Sequence, residues 1–340
     1  MNCRATVDSA TGICALEEPA ASSMTFTMSS LDQDSAASCG DSESEIALAT
    51  PDLTHALVGL GRFGSTHARK LASLPGFRLS AVVDSSPAAR PVADLAALPL
   101  LSGIDELPPG IESATVATSD GTHAEVAMAL MRRGCHVLVE KPLCIDRRDG
   151  VQMLRMAQQC GVVLSTGHVE RFNPAFDAAA LSWIRRAALR HQDSAHPFLR
   201  FRRFSCREAK AADSVLDLMV HDLDLLAWLC AIPAEAQLQV ISRRIDMRSV
   251  RARVRLGGMI AELESGYGSM PPAARLQVCN SGRQHVLDLR KPHRAMAGGD
   301  DALARQYRDF RHAVQGNGRR IASGADGLAA VIRASQVLHA

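Results

Sequence analysis

Lysine, aromatic residues and long apolar runs are all scarce in this chain, and each shortage narrows what the protein can be. The longest apolar stretches, such as "CHVLV" and "LDLLAWLCAI", are short or broken by charge. They fall well below the roughly 20 residues that a membrane-spanning helix needs, so no membrane association is expected. The cysteines (Cys3, Cys14, Cys39, Cys135, Cys144, Cys160, Cys206, Cys230 and Cys279) are odd in number, scattered and never paired as C-x-x-C. That pattern argues against a disulfide framework and a zinc knuckle, and points to a reducing, cytoplasmic compartment. Aromatics make up only 4% of the chain. The abundant arginines therefore lack the interleaved stacking rings of a nucleic-acid platform, and no nucleic-acid partner is expected. Of 38 basic residues only four are lysines, and one of them, Lys141, follows the apolar run in "CHVLVEKPL" and directly precedes Pro142.

What is present is an ordinary globular composition, 47% apolar, with material for a large core. Charge is unevenly spread. The first fifty residues set one arginine against eight acids, a balance of −7, which leaves +9 for the rest. Rich in Ser and Ala and without hydrophobic periodicity, residues 1–52 read as a disordered acidic extension; their acidity argues against a mitochondrial presequence.

From His55 onward, short aliphatic runs alternate with helical stretches. "HALVGLG", "FRLSAVVD", "SATVATS", "CHVLVEKP" and "GVVLSTGH" read as strands; "STHARKLASL", "HAEVAMALMRRG" and "RDGVQMLRMAQQC" read as helices. Such alternation predicts a doubly wound parallel sheet over residues 53–174, whose ligands bind at the carboxyl ends of the strands. The first strand end carries Gly59, Gly61 and Gly64 in a G-x-G-x-x-G, with Arg62 and Phe63 between the last two. Gly59 permits the tight turn, Gly61 the approach of a pyrophosphate, and Gly64 close packing of the helix, whose N-terminus supplies oriented N–H groups. Asp84 ends the next strand, where an acid accepts hydrogen bonds from an adenosine ribose. A glycine turn beside a surface aspartate is the plainer reading, but strand, turn, helix and acid in this order favour a dinucleotide. Asp84 favours NAD over NADP, because its charge repels a 2′-phosphate; Arg90, close in sequence, keeps NADP as the lesser alternative.

Strand ends then direct attention to Lys141. An ammonium there can donate to a substrate hydroxyl and stabilise a developing alkoxide, and a lysine, unlike an arginine, can release its proton. A solvated lysine after a strand is the competing interpretation. A second constellation, Asp217, His221 and Asp224 in "LDLMVHDLDLLAWL", falls along one stripe of an otherwise apolar helix. Asp217, one turn before His221, is expected to orient its imidazole, leaving the other nitrogen to accept a proton. A satisfied core network and a metal pair are the alternatives; no other histidine or cysteine falls in a ligand pattern, so no metal is expected.

Together "VGLGRFGSTHARKLA", "ATSDGTHAEVAMALMRRGCHVLVEKPL", "GHVERFNPAF" and "SVLDLMVHDLDLLAWL" resemble the Gfo/Idh/MocA family of NAD(P)-dependent sugar and cyclitol oxidoreductases. The likeness runs from His55 to the C-terminus. It is most specific at E-K-P, Glu140 to Pro142, and at D-x-x-x-H, Asp217 to His221. The resemblance implies an α/β architecture: a Rossmann domain followed by an α+β domain over residues 175–340, whose open antiparallel sheet commonly forms the interface of a homodimer or homotetramer. It also implies an active site between the two, with Lys141 in it. By the same resemblance Thr118, Ser119 and His123 line the nicotinamide and its ribose, Glu140 touches the cofactor, and Arg171 and Asn173 reach substrate or ribose. The wording "GHVERFNP" resembles members that oxidise UDP-N-acetylhexosamines at a ring hydroxyl. "SCREAKAAD" departs from the Gly- and Pro-containing stretch common in the family, which leaves the substrate loop's shape open.

In the second half, "FLRFRRFS", "AQLQVISRRI", "VRARVRLG", "MIAELESGY", "ARLQVCNS" and "QHVLDLR" read as strands of an antiparallel sheet, with Gly257-Gly258 as a hairpin turn. The resulting expectation is a dehydrogenase that passes hydride from a secondary hydroxyl of a sugar to NAD, with His221 as base, Asp217 as its orienting partner and Lys141 as its neighbour. The substrate expected is a UDP-N-acetylhexosamine, giving the 3-keto sugar; Arg171, Arg200, Arg202, Arg203 and Arg207, near the cleft segments, suit a diphosphate. The alternatives are a free sugar, inositol or dihydrodiol dehydrogenase, and a non-catalytic NAD-binding regulator.

Overall fold

Strand ends and helix starts are where the chain's chemistry should lie, so the fold matters chiefly for where it brings them. A computed structural model describes residues 51–89, 98–191, 196–268, 272–280, 283–290 and 301–340. The acidic extension expected over 1–52 lies outside the described residues up to position 50, as does Arg90.

The first lobe is built on β1 (Leu53–Val58), β2 (Phe77–Val83), β3 (Leu100–Leu101), β4 (Ser113–Val116), β5 (His136–Glu140) and β6 (Leu164–Gly167). They lie parallel in the order β6-β5-β4-β1-β2-β3. Helices α1 (Arg62–Leu71), α2 (His123–Arg132) and α3 (Arg147–Cys160) make the crossovers. Strands β4 and β6 are buried throughout, as parallel strands covered on both faces must be. The strand order reverses at β1, which has β2 on one side and β4 on the other, so a crevice opens at their carboxyl ends.

The second lobe contains α4 (Ala178–His191), β7 (Leu199–Ser205), α5 (Val220–Leu229), β8 (Leu238–Ile245), β9 (Ser249–Leu256), β10 (Met259–Tyr267), β11 (Ala273–Asn280) and β12 (Arg283–Asp288). Its sheet runs β12-β11-β7-β10-β9-β8. Gly257 and Gly258, with φ of 52° and 81°, make the β9–β10 hairpin, a geometry that residues with a Cβ rarely adopt. The sheet is antiparallel as expected except for one pair. β7 and β10 run parallel, because the chain leaves β7 through α5 and two further strands before returning beside it. The apolar sides of α4, α5 and the sheet form one core around Phe176, Phe198, Met219 and Leu226.

Residues from 301 onward return to the first lobe. Helix α6 (Ala302–Val314) packs Tyr307 and Phe310 against Leu71, Phe77 and Leu138. The short β13 (Ala322–Ser323) joins the first sheet antiparallel to β6, and α7 (Gly324–His339) starts there with a capping box between Ser323 and Asp326. The expected boundary, with all of 175–340 in the second domain, therefore differs from the fold at its far end. A two-residue strand carries too little periodicity to be read from sequence. Among the described residues no helix is long and apolar enough to cross a membrane.

Candidate active site

The carboxyl ends of the first sheet open onto a cavity of about 950 Å³. Its walls include Gly59, Gly61, Arg62, Phe63, Asp84, Thr118, Ser119, His123, Glu140, Lys141 and Asp217, so most of the residues singled out from sequence share one space.

The glycine turn fits a dinucleotide. Gly59 has a φ of 91°, which a residue with a Cβ would adopt only under strain. A Cβ at Gly64 would run into the Gly59 carbonyl oxygen, so α1 can close on the turn only without one. At Gly61 the same test meets nothing within 4 Å, which leaves the backbone open where a pyrophosphate would approach. Asp84 accepts hydrogen bonds from the Leu60 N–H at 2.7 Å and the Ser86 N–H at 2.8 Å. Its carboxylate is thereby fixed at the cavity wall, with lone pairs left for ribose hydroxyls. Phe63 projects into the opening, 57% exposed, with the Lys141 ammonium 6.0 Å from its ring centre.

At the far end the two lobes meet. Lys141, at the end of β5, donates from Nζ to Asp217 Oδ1 at 3.0 Å and to the Asp217 carbonyl at 3.1 Å. The other carboxylate oxygen, Oδ2, accepts from the Tyr267 hydroxyl at 2.9 Å and from Arg207 at 3.0 Å. Burial alone would raise the Asp217 carboxyl; Lys141 and the other donors outweigh it and hold the group below its usual range. Burial, reinforced by the Asp217 charge, pushes the Tyr267 phenol up to about 12. Tyr267 thus stays a donor.

Asp217 does not orient His221 as expected. Residues Val215–Met219 form a π-helical turn ahead of α5, so the regular α-helical stripe assumed for Asp217, His221 and Asp224 does not continue through Asp217. The carboxylate turns instead to Lys141, Tyr267 and Arg207. His221 is the one residue of α5 that is not buried, although its Nδ1 is buried without a hydrogen-bond partner. Burial, with Lys141, Arg203 and His168 nearby, depresses the His221 imidazole well below its usual pKa, so it is neutral at neutral pH. The His168 ring lies 6.2 Å away, centre to centre.

Other expected site residues serve as supports. Arg171 is buried in a two-pronged pair with Asp224, at 2.8 and 2.6 Å, and so faces the protein interior, where the sequence reading sent it toward substrate. Asn173 caps the turn at Pro174, accepting from the Ala175 N–H at 3.0 Å and donating to the Leu289 carbonyl at 2.8 Å. Neither lines the cavity, and each has the partners that a buried polar group requires. His123 borders the cavity with its nitrogens on two carbonyls, Pro142 at 2.8 Å and Thr118 at 3.2 Å, tying the loop after β4 to the turn after Lys141. Thr118 accepts from the Thr122 hydroxyl at 2.9 Å. Glu140 pairs with His67 at 3.1 Å and accepts from the Lys141 N–H at 3.2 Å.

Sequence reading missed Tyr267, and it took Arg207 only for a phosphate ligand. A signal was available: the chain has just two tyrosines, and this one ends a strand. Ser102, Gly103 and Ile104, beside the Asp84 end of the cavity, carried no motif.

Comparison with known proteins agrees with this geometry. Residues 53–168 match the family described as "Oxidoreductase family, NAD-binding Rossmann fold". UDP-N-acetylglucosamine 3-dehydrogenase of Acidithiobacillus ferrooxidans is 28% identical over 241 residues, 68% of this chain and 73% of that one. A myo-inositol dehydrogenase of Streptomyces leeuwenhoekii is 31% identical over 188 residues, 52% of this chain and 55% of that one. The solved structure of the Acidithiobacillus enzyme superposes with a TM-score of 0.68 at 25% identity, covering 85% of this chain and 97% of its own. With the glycine turn, the acid after β2 and the E-K-P strand end in one cleft, residues 53–168 form an NAD-binding Rossmann domain of the Gfo/Idh/MocA oxidoreductase family, and the relatives named above are dehydrogenases.

Proposed function

We propose that the protein oxidises the 3-hydroxyl of a UDP-linked N-acetylhexosamine to the ketone, with NAD as acceptor. The observation that carries this reading is the meeting of Lys141 and Asp217, from different lobes, at 3.0 Å in the cavity that also contains the glycine turn. NAD, when bound there, supplies the hydride acceptor.

In this reading His221, neutral at working pH, takes the hydroxyl proton as general base. Lys141 donates to the same oxygen and stabilises its negative charge as the C–H bond weakens, while Asp217 aims the ammonium. The glycine turn, Arg62 and Phe63 hold the dinucleotide phosphates, Asp84 the adenosine ribose, and Thr118, Ser119, His123 and Glu140 the nicotinamide end. Arg207, 57% exposed in its side chain at the cleft, is the guanidinium we assign to the diphosphate of the substrate. The likeness to the Acidithiobacillus 3-dehydrogenase supports the UDP-sugar. The inositol dehydrogenase relative favours a second reading, a free cyclitol. We further infer a homodimer or homotetramer, assembled through the outer face of the second sheet.

The test is NADH formation when protein and NAD are mixed with a panel of UDP-sugars and cyclitols. Turnover on UDP-N-acetylglucosamine or its epimers supports the proposal; turnover confined to cyclitols replaces it with the second reading.

A further inference from the structure

The second tyrosine, Tyr307, does not line the cleft and is fully buried on α6, yet its hydroxyl belongs to a chain of side-chain hydrogen bonds that ends at the cleft. Ser113 Oγ is 2.8 Å from His55 Nδ1, and His55 Nε2 is 2.9 Å from Thr115 Oγ1. Thr115 Oγ1 is 3.0 Å from Tyr307 Oη, which is 2.7 Å from His67 Nδ1. His67 Nε2 is 3.1 Å from Glu140 Oε1, and Glu140 Oε2 accepts the Lys141 N–H at 3.2 Å. Ser113, Thr115, His55, His67 and Tyr307 are all at most 2% exposed.

The proton positions in this chain follow from its two ends. An ionised Glu140 can only accept, so His67 carries its proton on Nε2 and presents a bare Nδ1. Tyr307 must then donate to His67, which obliges its oxygen to accept from Thr115. The Thr115 oxygen in turn accepts from His55 Nε2–H, and Ser113 donates to the bare His55 Nδ1. Every link points toward Glu140, and bonds polarised in one direction strengthen one another. The tautomer of His55 is consistent with this, since burial keeps it neutral, with its imidazole pushed down to about 3. Burial alone would raise the Glu140 carboxyl, but the hydrogen bond from His67, with the Lys141 charge and the Lys141 N–H, holds it below its usual range. The charged or titratable groups facing Glu140 are His67, Lys141, His168 and, through His67, Tyr307.

The inner end of the chain, at Ser113 and His55, is sealed in the core, so it has no outlet for a proton. Holding a charge in place is the role left to it. We propose that Tyr307 and His67 are positioning residues: a one-way hydrogen-bond chain from Ser113 through His55, Thr115, Tyr307 and His67 fixes the Glu140 carboxylate and, through the Lys141 amide, the active-site lysine. The proposal rests on the reading of Lys141 as an active-site residue. It gives α6, which follows the second lobe in sequence, a part in setting the E-K-P turn of the first.

The experiment has one arm independent of catalysis. In nitrogen-15 NMR of the full chain, His67 should show the Nε2–H tautomer. A proton on Nδ1, or on both nitrogens, overturns the chain whatever the substrate. Tyr307→Phe removes one hydroxyl and keeps the ring. It should leave the melting temperature within a few degrees, populate both His67 tautomers, and lower kcat on the order of tenfold while KM changes little. Thr115→Val cuts the next link and should act the same way, so it answers the question if Tyr307→Phe does not fold. An unchanged tautomer, or a changed tautomer with unchanged kcat, overturns the positioning role. Absence of turnover on the whole sugar panel, with the His67 tautomer as expected, would instead count against the functional reading.

Discussion

Asp217 divides its carboxylate between two sides of the cleft, one oxygen on Lys141 and the other on Tyr267 and Arg207. In the closed site the ammonium must be aimed, and only an anion with a fixed second oxygen can do that. Asp217→Asn keeps the shape but replaces an acceptor pair by one acceptor and one donor, which leaves Lys141 or Tyr267 poorly matched. We expect it to lower kcat by about 10²-fold with the affinity for NADH kept within a few-fold. Tyr267→Phe removes one donor and should cost less, on the order of tenfold. Steady-state kinetics with fluorescence titration of NADH checks both; a Tyr267→Phe protein slower than Asp217→Asn would reverse the ranking that this geometry implies.

At the level of elements, the turn into α1 is the most constrained. Gly64→Ala forces a Cβ onto the Gly59 carbonyl oxygen, and neither backbone segment can yield without moving the turn. NADH affinity should fall at least tenfold, measured by titration; unaltered affinity in a folded protein would contradict the assignment of the pyrophosphate to this turn. Ser323→Ala, by contrast, removes only the cap of α7 and should cost about 1 kcal/mol in denaturant unfolding, with NADH binding intact. These elements also mark what the sequence made legible. Strand and helix periods, glycine spacing and the lysine at a strand end depend on local chemistry, and α2, α3 and β10 follow them closely. The misreadings came where the partner is distant in sequence. Arg171 finds Asp224, Tyr267 finds Asp217, and α6 carries Tyr307 to a sheet laid down some 200 residues earlier. The π-helical turn is a different failure: the α-helical spacing read across Asp217 does not hold there, and no composition signal announces such a turn.

For the whole molecule, buried histidines dictate how stability depends on pH. Burial depresses His55 to about 3, and it also lowers His168 and, more strongly, His221. Each binds a proton in the unfolded chain below about pH 6.5 but not in the folded protein, so unfolding takes up protons and stability falls as the pH drops from there. Carboxylates extend the loss. Glu140, Asp217 and Asp224, which burial would raise but their cationic and hydrogen-bonding partners hold low, contribute stability above the ordinary carboxylate range and lose it as the pH falls through their folded values. The urea midpoint should therefore decline steadily from pH 7 to pH 4.5, and a flat midpoint over that span would contradict the burial of neutral imidazoles. The second sheet carries the assembly prediction. Its outer face holds a groove of about 880 Å³ lined by Arg200, Arg202, Arg251, Glu262 and Glu264, with Ile241, Ile245 and Val286 exposed on the outer strands. Light scattering should give a dimer or tetramer, and Val286→Glu with Ile241→Glu should shift it toward monomer; a monomeric parent protein would remove that role from the sheet.

All of this turns on whether an amine from one lobe and an imidazole from the other act on the same hydroxyl. The most direct measurement is the rate of NADH formation from UDP-N-acetylglucosamine by the parent protein and by its Lys141→Ala and His221→Ala variants, each shown to bind NADH. We expect each variant to lose about 10²- to 10⁴-fold in kcat. Variants that both turn over as fast as the parent would contradict the account.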